Sequence, residues 1–226
     1  MNFPNWWGSK YPHKITDALI GIKKIPDNSV DFICTDPPYG INTEGIINDD
    51  SLDVYYKILP DLYRILKDNK WFVTFAPMGR LPDMFKSHQF SYSWMGVIYY
   101  SNRERLCHTP CGYSKLSLYL MFKKGDAKIN KKILDIHEHI HIKYVEIGHT
   151  ASKPVSPVMK LITCCSAEGN IVFDPFLGSG TTIEACLRTN RIGIGYEINP
   201  EYEPLINKKI SDYNQEVKMS SLMGYS

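Results

Sequence analysis

Short apolar runs rich in β-branched and aromatic residues alternate along the chain with segments whose apolar residues recur at helical spacing. The apolar runs predict seven strands, at residues 14–16, 30–34, 71–75, 95–100, 117–122, 170–173 and 192–196. The helical patterns predict helices at residues 52–66, 157–165, 181–188 and 202–213, the first of them interrupted near Pro60. This alternation is typical of an α/β fold, in which a mostly parallel sheet carries helices on both faces.

Length and composition indicate one globular domain spanning residues 1–226, with 43% hydrophobic and 22% charged residues. No apolar run approaches the roughly 20 residues that a membrane span requires. Residues 1–14 also lack the apolar core of a signal peptide. The six cysteines do not follow the spacing of a disulfide-rich scaffold, so we expect reduced thiols. Together these features predict a cytoplasmic protein with no membrane contact.

Charge is almost balanced over the whole chain, because 26 Lys+Arg face 24 Asp+Glu and leave a net charge of +2. A general attraction for polyanions is therefore not expected. Basic residues are nevertheless concentrated between residues 100 and 132, where Arg103, Arg105 and Lys115 are the candidates for phosphate contacts. An ordinary solvated surface is an equally good interpretation of this basic stretch taken alone.

One candidate ligand site is the segment Asp174–Thr182, which reads Asp-Pro-Phe-Leu-Gly-Ser-Gly-Thr-Thr and lies where a predicted strand turns into a helix. Glycines allow the backbone to approach a ligand closely, and a helix N-terminus offers unpaired N–H donors. Glu197 ends the next predicted strand, where an acidic side chain can accept hydrogen bonds from ribose hydroxyls. A tight strand-to-helix turn without a ligand remains the structural alternative, since Ile183 stands where a dinucleotide fingerprint has its third glycine.

A second candidate site is Asp36–Gly40, Asp-Pro-Pro-Tyr-Gly, which follows directly on a hydrophobic strand. Two prolines stiffen the chain and remove N–H donors, so a carboxylate and a proline carbonyl can be held side by side as two acceptors for one NH₂ group. Tyr39 offers a flat face on which an extruded base can stack. A turn that caps the strand would explain the prolines but not this combination of residues.

These two segments carry a family resemblance. Thr35–Tyr39 resembles the catalytic motif of the DNA amino-methyltransferases that modify adenine N6 or cytosine N4, and Asp174–Gly180 resembles their cofactor motif. Because the catalytic motif comes first, the chain is similar to the β group of the family. The resemblance implies a Rossmann-like, S-adenosylmethionine-dependent methyltransferase fold with a seven-stranded, mostly parallel sheet and a circularly permuted motif order.

The likeness extends beyond the two motifs. Lys14–Asp17 and Ile25–Asp31 are similar to the family's lead-in to its catalytic motif, and His149–Pro154 resembles its His-Pro-Thr-x-Lys-Pro segment, with Thr150 in place of the first proline. The resemblance also implies a short target-recognition insertion at residues 101–149.

The resemblance assigns catalysis to Asp36, Pro37, Pro38 and Tyr39. Asp36 and the Pro37 carbonyl would accept the hydrogens of the target amine, and Tyr39 would stack on a base flipped out of the helix. Adenine N6 is the expected target, because Ser often replaces the leading Asp in the cytosine branch. Cytosine N4 is the nearest alternative.

The implied cofactor is S-adenosylmethionine, and its site would consist of Asp17, Asp36, Lys153, Asp174, Phe176, Gly178, Gly180, Thr181 and Glu197. Asp174 would meet the methionine ammonium, Lys153 would lie near the carboxylate, and Glu197 would hold the ribose. Asp17 would lie near the adenine. The methionine end would be lined by Phe176, Gly178 and Gly180.

Other chemistries fit the sequence less well. Residues 107–111 (Cys-His-Thr-Pro-Cys) are half of a zinc site without a second half, and His137, His139 and His141 are better explained as the solvent-facing side of a strand with Ile136 inward. We therefore expect no metal. A nucleotide-dependent oxidoreductase would have no use for the Pro-Pro-Tyr segment, and a binding module without turnover would not need Asp36.

The expected partner is DNA, gripped by the loop 101–114 together with residues 41–53. The loop 101–114 is predicted to join two strands beside the catalytic strand. A homodimer is expected because the recognition region is short and two-fold pairing extends a binding surface. The family resemblance adds a companion restriction endonuclease as an expectation.

Overall fold

The fold is given by a computed structural model that describes residues 5, 12–42, 46–86, 89–101, 107–109, 112–133, 135–139 and 153–223. Within these ranges the main sheet consists of β1 His13–Ile15, β2 Val30–Thr35, β3 Leu66–Ala76, β4 Ser91–Tyr100, β7 Leu116–Lys124, β8 Ile136–His139, β9 Ile171–Asp174 and β10 Ile192–Glu197. A separate hairpin is formed by β5 Cys107–Thr109 and β6 Gly112–Ser114. The helices are α1 Ala18–Gly21, α2 Asp53–Ile65, α3 Leu81–Met84, α4 Val155–Cys165, α5 Thr181–Arg188 and α6 Glu203–Leu222.

The strand order across the main sheet is β1-β10-β9-β2-β3-β7-β4-β8. Strands β1, β10, β9, β2 and β3 run parallel, and β7 is antiparallel to both of its neighbours. This arrangement confirms the predicted α/β fold with a mostly parallel sheet. The sheet in the described part of the chain has eight strands, one more than predicted, and the additional strand is β8.

Strand β8 also corrects the predicted orientation of His137. His137 pairs in register with the buried Ile98 and is 2% exposed, whereas Ile136 is 59% exposed. The His137 ring lies 3.1 Å from the Tyr119 hydroxyl through Nε2, and burial lowers the pKa of this histidine. A polar side chain can be buried when it has a hydrogen-bond partner, and the Tyr119 hydroxyl is that partner for the imidazole. The alternation of polar and apolar residues in β8 therefore did not indicate which side of the strand faces solvent.

The sheet is covered on both faces, as the complete burial of the central strand β2 requires. In β2, Val30 and Ile33 belong to a core cluster with α2, whereas Phe32 and Cys34 belong to a second cluster with α4 and α5. Helix α6 packs on α5 through its own small cluster. No helix in the described ranges is long and apolar enough to cross a membrane.

Helix α2 continues through Pro60, although the sequence predicted an interruption there. A proline inside a helix loses one backbone hydrogen bond and costs about 3 kcal/mol. The apolar side of α2 offsets this cost, because Ile58 and Leu62 are fully buried in the core beside the proline. Tertiary packing therefore outweighs the local preference.

The two strands joined by the segment between β4 and β7 do not lie beside the catalytic strand as predicted. Strand β3 lies between β2 and β7, so the two strands that this segment joins are at least one strand removed from β2. Within the predicted recognition insertion 101–149, β7 and β8 are strands of the main sheet.

The fold has a topological switch point between β2 and β9. These strands pair in parallel, with Ile33 opposite Phe173, but the chain leaves β2 towards β3 on one side and leaves β9 towards β10 on the other. The connections diverge and open a crevice at the carboxyl ends of the two strands, which is where ligands bind in open α/β sheets.

Candidate active site

A cavity of about 780 Å³ occupies this crevice. Its volume falls in the range of small-molecule and cofactor sites. Both sequence motifs line it, since they follow directly on β2 and β9. The predicted residues in its wall are Asp17, Asp36, Pro37, Pro38, Tyr39, Lys153, Asp174, Phe176, Gly178, Thr181 and Glu197. Sequence positions more than 130 residues apart are thus brought to one site, while their individual roles remain predictions.

Asp174 is the last residue of β9 and is almost fully buried. Its Oδ1 accepts hydrogen bonds from Thr35 Oγ1 at 2.6 Å and from the Phe176 N–H at 3.0 Å, and its Oδ2 accepts one from Thr182 Oγ1 at 2.7 Å. Burial raises the pKa of Asp174 to about 6, even though the three hydrogen bonds act in the opposite direction. The site therefore holds a desolvated carboxylate, which a bound cation would stabilise.

The glycine-containing turn is tied to the end of β10 by Glu197. One carboxylate oxygen of Glu197 accepts the Gly178 N–H at 2.7 Å, and the other accepts the Asn199 N–H at 2.8 Å. Burial raises the pKa of Glu197. A carboxylate offers about four acceptor positions, so Glu197 can still accept hydrogen bonds from ligand hydroxyls.

Gly180 has a different surrounding from its neighbours in the motif, because it is not part of the cavity wall. Its φ of +83° is left-handed, and a Cβ built there would lie 3.1 Å from Ile206 of α6. The glycine thus starts α5 and allows α6 to pack close behind it.

Asp36 and Tyr39 form a connected pair in the cavity wall. The Tyr39 hydroxyl donates to Asp36 Oδ1, and the Lys153 ammonium donates to Asp36 Oδ2. The same ammonium lies 5.7 Å from the Tyr39 ring centroid and 5.1 Å from that of Phe75. Burial, followed by the charge of Asp36, raises the pKa of Tyr39 well above its usual range, so this phenol remains a hydrogen-bond donor.

Lys153 was predicted to lie near the carboxylate of the cofactor, and the structure pairs it with Asp36. Its backbone carbonyl accepts a hydrogen bond from Thr181 Oγ1 at 3.2 Å, which anchors this segment to the start of α5. Asp17 caps α1 through the Leu19 N–H at 2.8 Å and also faces the cavity.

Of the predicted DNA-contacting residues, Arg103 and Arg105 lie outside the described residues. Lys115 is half-buried and immediately precedes Leu116 and Ser117, which line the cavity. It therefore lies close to the rim of the site.

No group of residues that could hold a metal ion occurs in the described part of the chain. The side chains of Cys107, Cys111, His139 and His141 lie outside it. Four other cysteines, at 34, 164, 165 and 186, are buried free thiols.

Sequence reasoning missed several residues that organise this site. Thr35 and Thr182 both bind Asp174, Asp49 binds the backbone at Tyr39, and Arg80 binds the carbonyl of Gly40. Thr35 is the first residue of the catalytic motif and Thr182 follows the cofactor motif by two residues, which could have marked them. Asp49 stands in an Asn-Asp-Asp run that looks like any polar turn, so the sequence carried no signal for its burial.

The profile of the N6/N4 methyltransferase family, described as DNA methylase, matches residues 85–208, more than half of the chain. The chain belongs to this family. It is therefore an S-adenosylmethionine-dependent DNA methyltransferase, with the fold and the crevice that such a cofactor requires.

Curated relatives agree with this assignment along most of the methyltransferase. The type II methyltransferase M.HpaI of Haemophilus parainfluenzae is 27% identical over 88% of this chain and 74% of its own length. The YubD protein of Escherichia coli (strain K12) is 30% identical over 82% of this chain and 84% of its own. The DNA adenine methyltransferase YhdJ of the same strain is 27% identical over 82% and 78%, respectively.

Solved structures share the fold. The M1.HpyAVI–SAM complex superimposes with a TM-score of 0.68 at 23% identity, covering 88% of this chain and 98% of that one. The cytosine-N4-specific PvuII DNA methyltransferase superimposes with a TM-score of 0.70 at 17% identity, covering 90% and 91%, respectively.

Replacing Asp174 by Asn should separate stability from cofactor binding. An Asn side chain can accept from Thr35 and Phe176 and donate to Thr182, while the desolvated charge is lost. We expect Asp174→Asn to unfold at a higher temperature than wild type at pH 8, with a gain on the order of 2–3 kcal/mol from a pKa raised to about 6. The gain should shrink towards pH 4, because the wild-type carboxyl is then protonated in the folded state.

The same substitution should weaken S-adenosylmethionine binding by about 10- to 100-fold at pH 8, the effect of losing one charged hydrogen-bond partner. For wild type, calorimetric affinity should fall as the pH drops below about 6, and for Asp174→Asn this dependence should disappear. Asp212→Asn, on the exposed side of α6, is the control and should match wild type. Undiminished affinity of Asp174→Asn would contradict the assigned role.

Proposed function

We propose that this methyltransferase transfers the methyl group of S-adenosylmethionine to N6 of adenine in DNA. The observation that carries the proposal is the Asp36 carboxylate in the cavity wall, next to the Tyr39 ring and across the switch point from Asp174. A carboxylate that can accept hydrogen bonds from the target amine and the cofactor motif that begins at Asp174 therefore line the same cavity.

The target amine is a poor nucleophile, because its lone pair is delocalised into the ring. Asp36 and the Pro37 carbonyl would accept its two hydrogens and direct the lone pair at the methyl carbon. As the N–C bond forms, the C–S bond would break with its electron pair remaining on sulfur. The methylated nitrogen would then lose its extra proton to solvent by way of the Asp36 carboxylate. Asp36 already binds the Tyr39 hydroxyl and the Lys153 ammonium, but each carboxylate oxygen can accept a second hydrogen bond.

Most of the acceleration in this scheme comes from positioning and from oriented dipoles, with well-aligned reactants gaining on the order of 7–11 kcal/mol. The base must leave the helix stack at a cost of a few kcal/mol. Stacking on Tyr39, at roughly 1–3 kcal/mol per base, offsets part of that cost.

Adenine is preferred over cytosine for two reasons. The motif begins with Asp36, whereas the cytosine branch often has Ser there, and YhdJ, a relative over most of the chain, is named a DNA adenine methyltransferase. The likeness to the cytosine-N4-specific PvuII enzyme, at 17% identity, speaks for the fold alone. Cytosine N4 is therefore the second candidate.

The proposal is tested by incubating the protein with labelled S-adenosylmethionine and DNA of mixed sequence, then identifying the labelled nucleoside after digestion. We expect N6-methyl-2′-deoxyadenosine as the labelled product. Asp36→Ala should abolish transfer while leaving cofactor binding largely intact, since Asp36 acts mainly on the target amine. Label in N4-methyl-2′-deoxycytidine would replace the proposal by its alternative, and an active Asp36→Ala variant would refute the role of Asp36.

We further propose that the DNA backbone is contacted around residues 101–115, with Lys115 at the rim of the cavity. Its neighbours Leu116 and Ser117 line the cavity, so a phosphate beside the flipped nucleotide would come within reach of this ammonium. Arg103 and Arg105 extend the same basic stretch along the chain.

Neutralising these cations should reduce the salt dependence of DNA binding. Each phosphate contact contributes a slope of about −0.9 to log K against log salt, so Lys115→Ala should lower the slope by about one and Arg103→Ala/Arg105→Ala by about two. The control is Lys218→Ala, which is exposed on α6. It lies 16 residues, or about 24 Å along the helix, beyond Tyr202, which lines the cavity. Unchanged slopes and affinities for the loop variants in a salt titration would move the DNA surface elsewhere.

A further inference from the structure

Asp49 is buried at the edge of the cavity, with 3% of its surface exposed. Its Oδ1 accepts the backbone N–H of Tyr39 and, at 2.8 Å, that of Gly40. Its own carbonyl accepts the Asn42 N–H at 2.6 Å. One carboxylate therefore fixes the chain at the point where it leaves the catalytic motif.

The two N–H groups that donate to Asp49 have a particular place in the catalytic segment. Pro37 and Pro38 have no N–H, so the N–H groups of Tyr39 and Gly40 are the first backbone donors after Asp36. Both of them go to Asp49.

The carbonyl side of Gly40 is held as well, because Arg80 Nη2 donates to the Gly40 oxygen at 2.9 Å. Gly40 has a φ of +68°, and a Cβ there would lie 2.7 Å from the carbonyl carbon of Ser51. The backbone after Tyr39 is thus confined to one left-handed conformation, which only glycine adopts without strain.

We propose that Asp49 is a positioning residue for Tyr39, so that the ring is set for stacking against the target base. The Tyr39 side chain is then fixed at both ends, at its backbone by Asp49 and at its hydroxyl by Asp36. This inference rests on the proposed function, in which Tyr39 receives the base.

Hydrogen bonds that N–H groups donate to a carboxylate are shorter and stronger than those between neutral groups. A buried N–H group that has lost its acceptor costs free energy. Loss of the Asp49 carboxylate would therefore let the Tyr39 backbone move to find new acceptors. A displacement of 1 Å at a reacting group can lower the rate about 100-fold.

The test compares Asp49→Ala, Asp49→Asn and the control Asp212→Ala, the last at an exposed carboxylate on α6. For Asp49→Ala we expect kcat to fall about 100-fold while KM for S-adenosylmethionine stays near wild type. Asp49→Asn keeps a side-chain oxygen that can accept both N–H groups, so kcat should recover to within about tenfold of wild type. Asp212→Ala should have wild-type kinetics.

A spectroscopic measurement separates positioning from general loosening of the fold. DNA with 2-aminopurine at the target position brightens when the base is unstacked, and stacking on an aromatic ring quenches it again. In the wild-type complex the fluorescence of the flipped 2-aminopurine should be quenched. In Asp49→Ala this quenching should be lost while the affinity for DNA is retained, and in Asp49→Asn the quenching should return. If Asp49→Ala does not fold, Arg80→Met is used instead, because it removes the hydrogen bond to the Gly40 carbonyl. This variant should have a lower kcat and an unchanged KM for the cofactor.

Wild-type kcat in Asp49→Ala, or in Arg80→Met where that variant is used, would overturn the inference, as would an Asp49→Asn variant no better than Asp49→Ala. Asp36→Ala is assayed in parallel. If Asp36→Ala is inactive and Asp49→Ala is active, only the role of Asp49 fails. If Asp36→Ala is itself active, the proposed function fails with it.

Discussion

The hydrogen bond from Thr35 Oγ1 to Asp174 Oδ1, 2.6 Å long and fully buried, joins the last residue of β2 to the last residue of β9. The two strands pair directly, yet their continuations diverge to opposite sides of the sheet. Because one motif follows each strand, this bond sets the distance between the catalytic and the cofactor residues. The cavity, the Asp36–Tyr39 pair and the glycine turn are all arranged around it.

The same arrangement imposes a cost on stability. Asp174 is held without water and its pKa is raised to about 6, whereas Lys153 is used to neutralise Asp36. Carboxylates with strongly shifted pKa values are common at functional sites, where a ligand supplies the missing charge. We interpret the buried charge of Asp174 as a preformed site for a cationic group rather than as a contribution to folding.

The sequence was sufficient for most of the architecture, because apolar runs and helical periodicity record burial directly. It failed where a tertiary contact overrides a local preference. Pro60 lies inside α2 because the core on both sides of it is fully buried, and His137 faces inward because the Tyr119 hydroxyl is its partner. Both motifs could be found from residue order alone, but the burial of Asp49 could not. Its hydrogen-bond donors are backbone N–H groups of Tyr39 and Gly40, and residue types do not reveal which backbone groups a side chain will bind.

The most direct test of the central claim uses the two threonines that donate to Asp174. Thr35 belongs to the catalytic strand and Thr182 to the cofactor helix. With cofactor and DNA both saturating, we predict that Thr35→Val lowers kcat about tenfold or more by releasing β2 from Asp174, whereas Thr182→Val weakens S-adenosylmethionine binding and leaves kcat unchanged. Equal kcat values for the two variants would contradict the account, because the bond across the switch point would then have no role in aligning the two halves of the site.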